Sequence, residues 1–178
     1  MDERTLIKQA RSGDSDAFCR LYSLYSTRLY RYAFYRLGNE TDAEDAVSEC
    51  VLAAWKQISQ LREPDAFTAW IFRILSGCCG RLIRQQIRQR KQTEEQMQQQ
   101  MGQAGAGTGP SGPDSDSDTW LILQEALQQL PDREREIVLL SAVGGLTSAE
   151  IAEMTDLTAG SVRSALSRSL KKVRGYLE

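Results

Sequence analysis

The sequence predicts an all-α protein of two small helical domains joined by a flexible linker. Three observations carry that expectation. Helix-favouring Leu, Ala, Glu, Gln and Arg dominate a chain of 178 residues that has only four prolines. No Val/Thr/Tyr-rich stretch alternates apolar and polar residues as a strand would. Residues 92–119, QTEEQMQQQMGQAGAGTGPSGPDSDSDT, pass from Gln-rich to Gly/Pro-rich to an Asp/Ser repeat, with no aromatic or β-branched aliphatic side chain. Such a stretch buries too little apolar surface to offset its conformational entropy, so it reads as a linker between domains at 1–91 and 120–178. A flexible chain of that length has a typical end-to-end distance of roughly 30 Å, which lets the two halves sit apart on a large partner.

Taken in order, a short helix near residues 2–11 precedes three long apolar stripes. Phe18, Leu21, Tyr22, Tyr25, Leu29, Tyr32 and Ala33 follow helical spacing, opened by Asp14 or Ser15 and ended by Gly38. Thr41 is the expected cap of the next stripe, which runs from Ala43, Ala46, Val47, Cys50 and Val51 to Ala54, Ile58 and Leu61. Pro64 suits a helix start, where its missing N–H does no harm. The third stripe is Phe67, Trp70, Ile71, Ile74, Leu75, Cys78 and Leu82. These helices need one another to bury their apolar faces, as in a bundle. Of the chain's 13 aromatic residues 11 lie between 18 and 72, which marks the core of this half.

In the second half, Leu123, Ala126, Leu127 and Leu130 mark a helix stopped at Pro131, and residues 132–143 mark another ended by Gly144-Gly145. Thr147 and Glu150 have the spacing of a capping box. Residues 155–157 form a turn, and Thr158 caps the last helix. Two helices across a three-residue turn, with Ile151, Ala152, Leu157, Val162 and Leu166 inward and Ala165, Leu170 and Val173 on the same side, make a helix-turn-helix.

Composition removes several function classes. Histidine is absent, which excludes His-based acid–base catalysis and most zinc sites. No carboxylate cluster at metal spacing and no nucleophile–base pair is legible, so neither an enzyme nor a metal or cofactor site is expected. The start, MDERTLIKQA, is polar and unlike a signal peptide. No apolar run reaches the ~18 residues of a membrane span, so a cytoplasmic location without membrane contact is expected. Cys19, Cys50, Cys78 and Cys79 show no CxxC spacing, and Cys19 and Cys50 read as small hydrophobes on apolar helix faces.

The net charge of −2 conceals a strong asymmetry. Residues 1–91 carry 15 Lys/Arg against 11 Asp/Glu, residues 92–119 carry five acids and no base, and residues 120–178 carry seven bases against eight acids. On the last helix Arg163, Ser164, Ser167, Arg168, Lys171 and Arg174 share one side, and no acid occurs between Leu157 and Leu177. That ridge suits a major groove, with Arg163 placed to reach a base edge and Arg168, Lys171 and Arg174 placed to hold phosphates. The plainer reading is a solvated helix face. On the third long helix Arg73, Arg81, Arg84, Arg88 and Lys91 fall in one arc, bordered by Trp70. Cations beside an aromatic suit single-stranded nucleic acid, although Trp70 by itself reads as core.

Together the two halves resemble a bacterial RNA polymerase sigma factor of the extracytoplasmic-function (ECF) subfamily. The first resembles sigma region two through AFCRLYSLYSTRLYRYAFYRLGNETDAEDAVSECVLAAWKQI and FTAWIFRILSGCCGRLIRQ. The second resembles sigma region four through LQQLPDREREIVLLSAVGGLTSAEIAEMTDLTAGSVRSALSRSLKKVR. The resemblance implies a transcription initiation factor that binds core RNA polymerase, directs it to promoters and helps open the minus-10 region. It implies polymerase contact through Asp45, Glu49, Leu52 and Trp55. It implies minus-10 contact through Arg73, Ser76, Gly77, Arg81, Arg84 and Arg88. It implies minus-35 contact through Thr158, Ser161, Arg163, Ser164, Ser167, Arg168, Lys171 and Arg174. An anti-sigma factor is the implied inhibitory partner. Gly77 and Arg81 stand where the family usually has Asn and Asp, and Asp156 stands where a turn Gly is frequent. The competing reading is a one-component helix-turn-helix regulator whose first domain senses a ligand or dimerises.

Overall fold

The computed structural model describes residues 1–98 and 117–178, and every regular element among them is helical. Most of the expected linker, residues 99–116, lies outside the described residues.

The early helices each begin on a side chain that accepts from an otherwise unpaired backbone N–H. Asp2 accepts from Thr5 ahead of α1 (Glu3–Arg11), and Asp14 accepts from Ala17 ahead of α2 (Ser15–Leu37). Gly38 ends α2 with a left-handed φ of 83°. The cap of α3 (Glu40–Gln57) is Asn39 rather than Thr41: Asn39 leaves the turn extended, and its Oδ1 accepts from the Asp42 N–H at 2.8 Å. Thr41 already lies inside the first turn and faces solvent. Two single-turn 3-10 segments, Ile58–Gln60 and Pro64–Ala66, lead into α4 (Phe67–Met97), so Pro64 opens the second of these turns rather than the α-helix. α4 outruns residue 91 because no Gly or Pro interrupts it between Gly80 and Met97.

Contrary to the sequence expectation, an 18-residue window within Pro64–Met97 reaches a mean hydropathy of 1.3 with no more than two charges. In the fold that stretch is the core helix of the first bundle. Phe67, Ile71, Phe72, Leu75, Cys78 and Cys79 are buried against α2 and α3. Tyr32 meets Phe72 edge-on at 5.7 Å, and Tyr25 meets Phe67 edge-on at 5.1 Å. The Tyr25 hydroxyl donates to Glu3 at 2.5 Å and lies 2.7 Å from the Thr68 hydroxyl, joining α1, α2 and α4 at one point.

The second bundle contains α5 (Ser117–Gln128), α6 (Asp132–Ala142), α7 (Ser148–Thr155) and α8 (Ala159–Leu177). Arg135 closes the end of α5 by donating to the carbonyls of Leu127 and Leu130 at 2.9 Å and of Gln128 at 3.3 Å. Gly144 is required because a Cβ there would lie 2.6 Å from the Leu140 carbonyl oxygen. The capping box forms as expected: Thr147 Oγ1 accepts from Glu150 N–H at 3.2 Å, and Glu150 accepts from Thr147 N–H at 2.8 Å. Thr158 caps α8. Leu170 is 46% exposed rather than inward, while Ser169 is fully buried. The cause is helical phase: Val162, Ala165, Ser169 and Val173 centre the buried stripe, and Leu170 sits about 80° around from Val162. Cys19 is likewise exposed on α2, whereas Cys50, Cys78 and Cys79 are buried.

Two predictions follow from local geometry. Asp156 adopts φ 55°, ψ 28°, the one positive φ of a non-glycine among the described residues. A left-handed residue with a Cβ costs ~1–2 kcal/mol, partly offset by the extra chain entropy glycine loses on folding, so Asp156→Gly should raise stability by about 0.5–1 kcal/mol in a urea titration. Burial pushes the Cys79 thiol up to about 12, against a partial pull from Arg36, and burial also raises Cys50 and Cys78. These thiols are neutral in the fold, so their contribution is intact below their unfolded pKa of about 8.5 and is lost as pH climbs through the folded value. Stability should therefore fall progressively from about pH 9 toward about pH 12, and a disulfide reagent at neutral pH should label Cys19 at once and the other three only on unfolding.

Candidate nucleic-acid interface

The helix-turn-helix orients α8 so that Val162, Ala165, Ser169 and Val173 pack inward. Ser169 donates to Glu134 of α6 at 3.2 Å, and Lys172 reaches the same carboxylate at 3.3 Å, which fixes the helix in rotation. The opposite side presents Arg163, Ser164, Ser167, Arg168, Lys171 and Arg174, all exposed. Among the described residues Arg163, Arg168, Lys171 and Arg174 make no ion pair or side-chain hydrogen bond. Thr158 and Ser161 sit at the start of this ridge and also build its cap: Thr158 Oγ1 accepts from Ser161 N–H at 3.1 Å and lies 2.9 Å from the Ser161 hydroxyl. A cationic face with short hydroxyls and a positive helix start can approach a polyanion closely.

In the first bundle α3 and α4 form a groove of 420 Å³ that brings Asp45 and Glu49 together with Arg81, Arg84 and Arg88. Arg81 pairs with Glu49 at 3.5 Å, both being more than half exposed, so water screens most of that attraction. Farther along α3, Leu52 is 62% exposed and Trp55 is 37% exposed, with the Trp55 ring resting 5.1 Å from Phe18. An acidic turn followed by two exposed apolar side chains is the composition of a protein-docking strip. Trp70 is half-buried and packs on Phe67 at 5.7 Å, as its core reading expects.

The two bundles do not sit apart. They share one hydrophobic cluster and meet along α2 and α4 on one side and α5, α6 and α7 on the other. Trp120 stacks on Tyr35 at 4.7 Å and 12° and meets Phe34 edge-on. Gln124 donates to the Gly38 carbonyl at 3.0 Å. Arg28 lies over Tyr25 and Phe72 and donates to the carbonyls of Val143, at 3.2 Å, and Gly144. At the centre, buried Arg36 donates to Tyr32 Oη at 3.1 Å and to Ser76 Oγ at 2.9 Å, and it faces Glu136 at 3.5 Å and Asp132 at 3.6 Å. Burial disfavours its charge, but Tyr32, Glu136 and Asp132 more than offset that and hold its pKa above the ordinary arginine value. Arg36 Nε has no partner among the described residues, and an unmet buried donor costs ~1–3 kcal/mol.

This contact reaches residues for which the sequence resemblance implies minus-10 contact. Ser76 is buried, accepting from Arg36 and donating to Glu136, and Arg73 donates to the Glu153 carbonyl of α7 at 3.4 Å. Gly77 is exposed with open space where a Cβ would point. An interdomain cavity of 540 Å³ is lined by Arg36, Arg73, Gly77 and Arg84 on one side and by Asp132 and Glu136 on the other. Sequence reasoning missed Arg36, although a signal was present: it continues the Leu29, Tyr32, Ala33 face of α2, so an arginine there had to be buried and paired.

Comparison with known proteins identifies both halves of the chain. The family model described as Sigma-70 region 2 matches residues 21–89, and the one described as Sigma-70, region 4 matches residues 120–173. The ECF RNA polymerase sigma factor SigW of Bacillus subtilis is 26% identical over 180 residues, which span 96% of this chain and 94% of SigW. RNA polymerase sigma factor SigV of the same organism is 30% identical over 145 residues, 82% of this chain and 81% of SigV. The solved structure of CnrH in complex with the cytosolic domain of CnrY matches with a TM-score of 0.71 and 25% identity, covering 98% of this chain and 96% of that one. Both sigma regions in one chain do not favour a one-component regulator. The chain belongs to the extracytoplasmic-function subfamily of RNA polymerase sigma factors.

Proposed function

We propose that the chain delivers core RNA polymerase to promoters through three sets of residues, two of which adjoin in the groove between α3 and α4. Residues 1–91 form the unit that docks on polymerase, through Asp45, Glu49, Leu52 and Trp55, and engages the minus-10 element through Arg73, Ser76, Gly77, Arg81, Arg84 and Arg88. Residues 120–178 form the unit that reads the minus-35 element with α8, and residues 92–119 connect them. The observation that carries this reading is the α8 ridge, whose four cations face solvent with no protein partner among the described residues. Exposed Leu52 and Trp55 support the docking strip. The chain supplies recognition and strand opening rather than a catalytic centre, and it acts where polymerase and promoter are, in the cytoplasm. CnrH, a sigma factor of similar structure, forms a complex with the cytosolic domain of CnrY, and this chain is proposed to answer to a protein partner that acts as an anti-sigma factor.

Energetics require polymerase. DNA affinity grows with the number of phosphates neutralised, and this chain carries a net charge of −2. Extruding a base costs a few kcal/mol, comparable with the ~1–3 kcal/mol that stacking one base returns. The test is run-off transcription with core polymerase on a promoter library. Arg163→Glu should change minus-35 preference, by the ~1–3 kcal/mol that one base contact discriminates. Arg84→Ala combined with Arg88→Ala should slow opening and leave that preference unchanged. Equal effects of both variants on preference and on opening would contradict the division of labour.

A further inference from the structure

We propose that the cavity between the bundles is a binding site for a small monocarboxylate with an apolar body. Its volume of 540 Å³ lies in the range of small-molecule sites, and domain interfaces are a common place for them. Three observations define the class of ligand. The first is charge. Arg36, Arg73 and Arg84 line the cavity against Asp132 and Glu136, which leaves one positive charge without a counterpart. Both carboxylates already face Arg36, at 3.6 and 3.5 Å, whereas Arg84 makes no ion pair or hydrogen bond among the described residues and Arg73 reaches only the Glu153 carbonyl. The second is shape. A Cβ on Gly80 would lie 3.6 Å from Arg84 Nη1 and 4.0 Å from Arg36 Nη2, so two guanidinium groups converge over bare backbone. The third is an apolar wall of Ile83, Ile87 and Met154, of which Ile87 is 48% exposed.

A carboxylate matches this lining better than a phosphate does. A guanidinium fork takes a carboxylate through two parallel N–H···O bonds, and one negative charge balances the cavity. A phosphate monoester carries about −1.5 to −2 charge near neutral pH and would turn the excess against Asp132 and Glu136. The apolar wall sets the other requirement: an aromatic or aliphatic body removes Ile83, Ile87 and Met154 from water, which a bare ion cannot do. The acid touches both bundles at once, Arg84 and Ile87 on α4 and Met154 on α7, so its binding raises the stability of the folded chain by mass action. Binding itself does not depend on the promoter reading; only its consequence does, that the acid and the minus-10 strand compete for Arg73 and Arg84.

The test is calorimetric titration and thermal melting of the full chain with phenylacetate, acetate and benzyl alcohol, with neither polymerase nor promoter present. Phenylacetate should bind with a Kd of roughly 1 mM or tighter, the range open to a ligand of that size, and should raise Tm. Acetate lacks the body and benzyl alcohol lacks the charge, so each should bind about tenfold more weakly or worse. Gly80→Leu fills the cradle without removing a charge and improves helix propensity, so it should melt higher and lose about tenfold or more in phenylacetate affinity. Ile87→Glu, at an exposed position that leaves the core intact, sets a carboxylate against the acid and should weaken binding as much. Gln89→Glu adds the same charge on an exposed part of α4 outside the cavity and should change affinity less than about twofold. No binding of phenylacetate, or acetate or benzyl alcohol binding as well as it does, overturns the monocarboxylate. Unaltered affinity in Gly80→Leu and Ile87→Glu overturns the site, and so does an equal loss in Gln89→Glu. Failure of the promoter reading would appear in run-off transcription and leave this titration unchanged.

Discussion

A guanidinium withdrawn from water loses far more solvation than one ion pair returns, so it persists inside a protein only where several groups converge on it. Arg36 is in that position, and the arrangement of both bundles follows from how it is satisfied. Its hydroxyl partners, Tyr32 and Ser76, come from α2 and α4 of the first bundle, while its carboxylate partners, Asp132 and Glu136, come from α6 of the second. Neither bundle alone supplies enough. The tyrosine–tryptophan stack and the Gln124 bond at the end of α2 add area and direction to the same contact. Removing one partner of a buried ion pair costs about 3–5 kcal/mol, a figure that applies to Glu136, which is largely buried, more than to half-exposed Asp132.

The cations of the α8 ridge have the opposite character. Arg163, Arg168, Lys171 and Arg174 stay in water, and Arg81 is paired only at the surface. In the free chain their value lies in orientation: α8 is fixed in rotation by Ser169 and Glu134, so the ridge is presented rigidly. A rigid, solvated ridge suits steering and groove reading, whereas holding open a duplex needs more surface than one arginine arc provides. The exposed Leu52 and Trp55 on α3 are the natural complement, an anchor that lets a larger body supply the rest.

Much of this was legible in the sequence, for identifiable reasons. Caps and turns are local, so the Thr147–Glu150 box, the Thr158 cap and the Gly38 stop could be read directly. Apolar stripes fixed the helix count and most core positions. Errors arose where two local solutions compete or where phase matters: Asn39 took the cap expected of Thr41, and Ser169 took the inward place next to Leu170. Cys19 was misplaced for the second reason, since it lies beside the buried Ala17–Phe18 pair without joining it. The contact between bundles was not legible at all. It depends on residues far apart in the chain, Arg36 with Asp132 and Arg28 with Val143, and on an arginine whose burial was visible in its spacing but not weighed.

The central claim is that strand opening belongs to the assembly of this chain with polymerase and not to either part alone. Permanganate reactivity of thymines in the minus-10 region of a promoter fragment reads it directly. Reactive thymines should appear only when the chain and core polymerase are both present. Reactivity with the chain alone, or with core polymerase alone at the same positions, would contradict it.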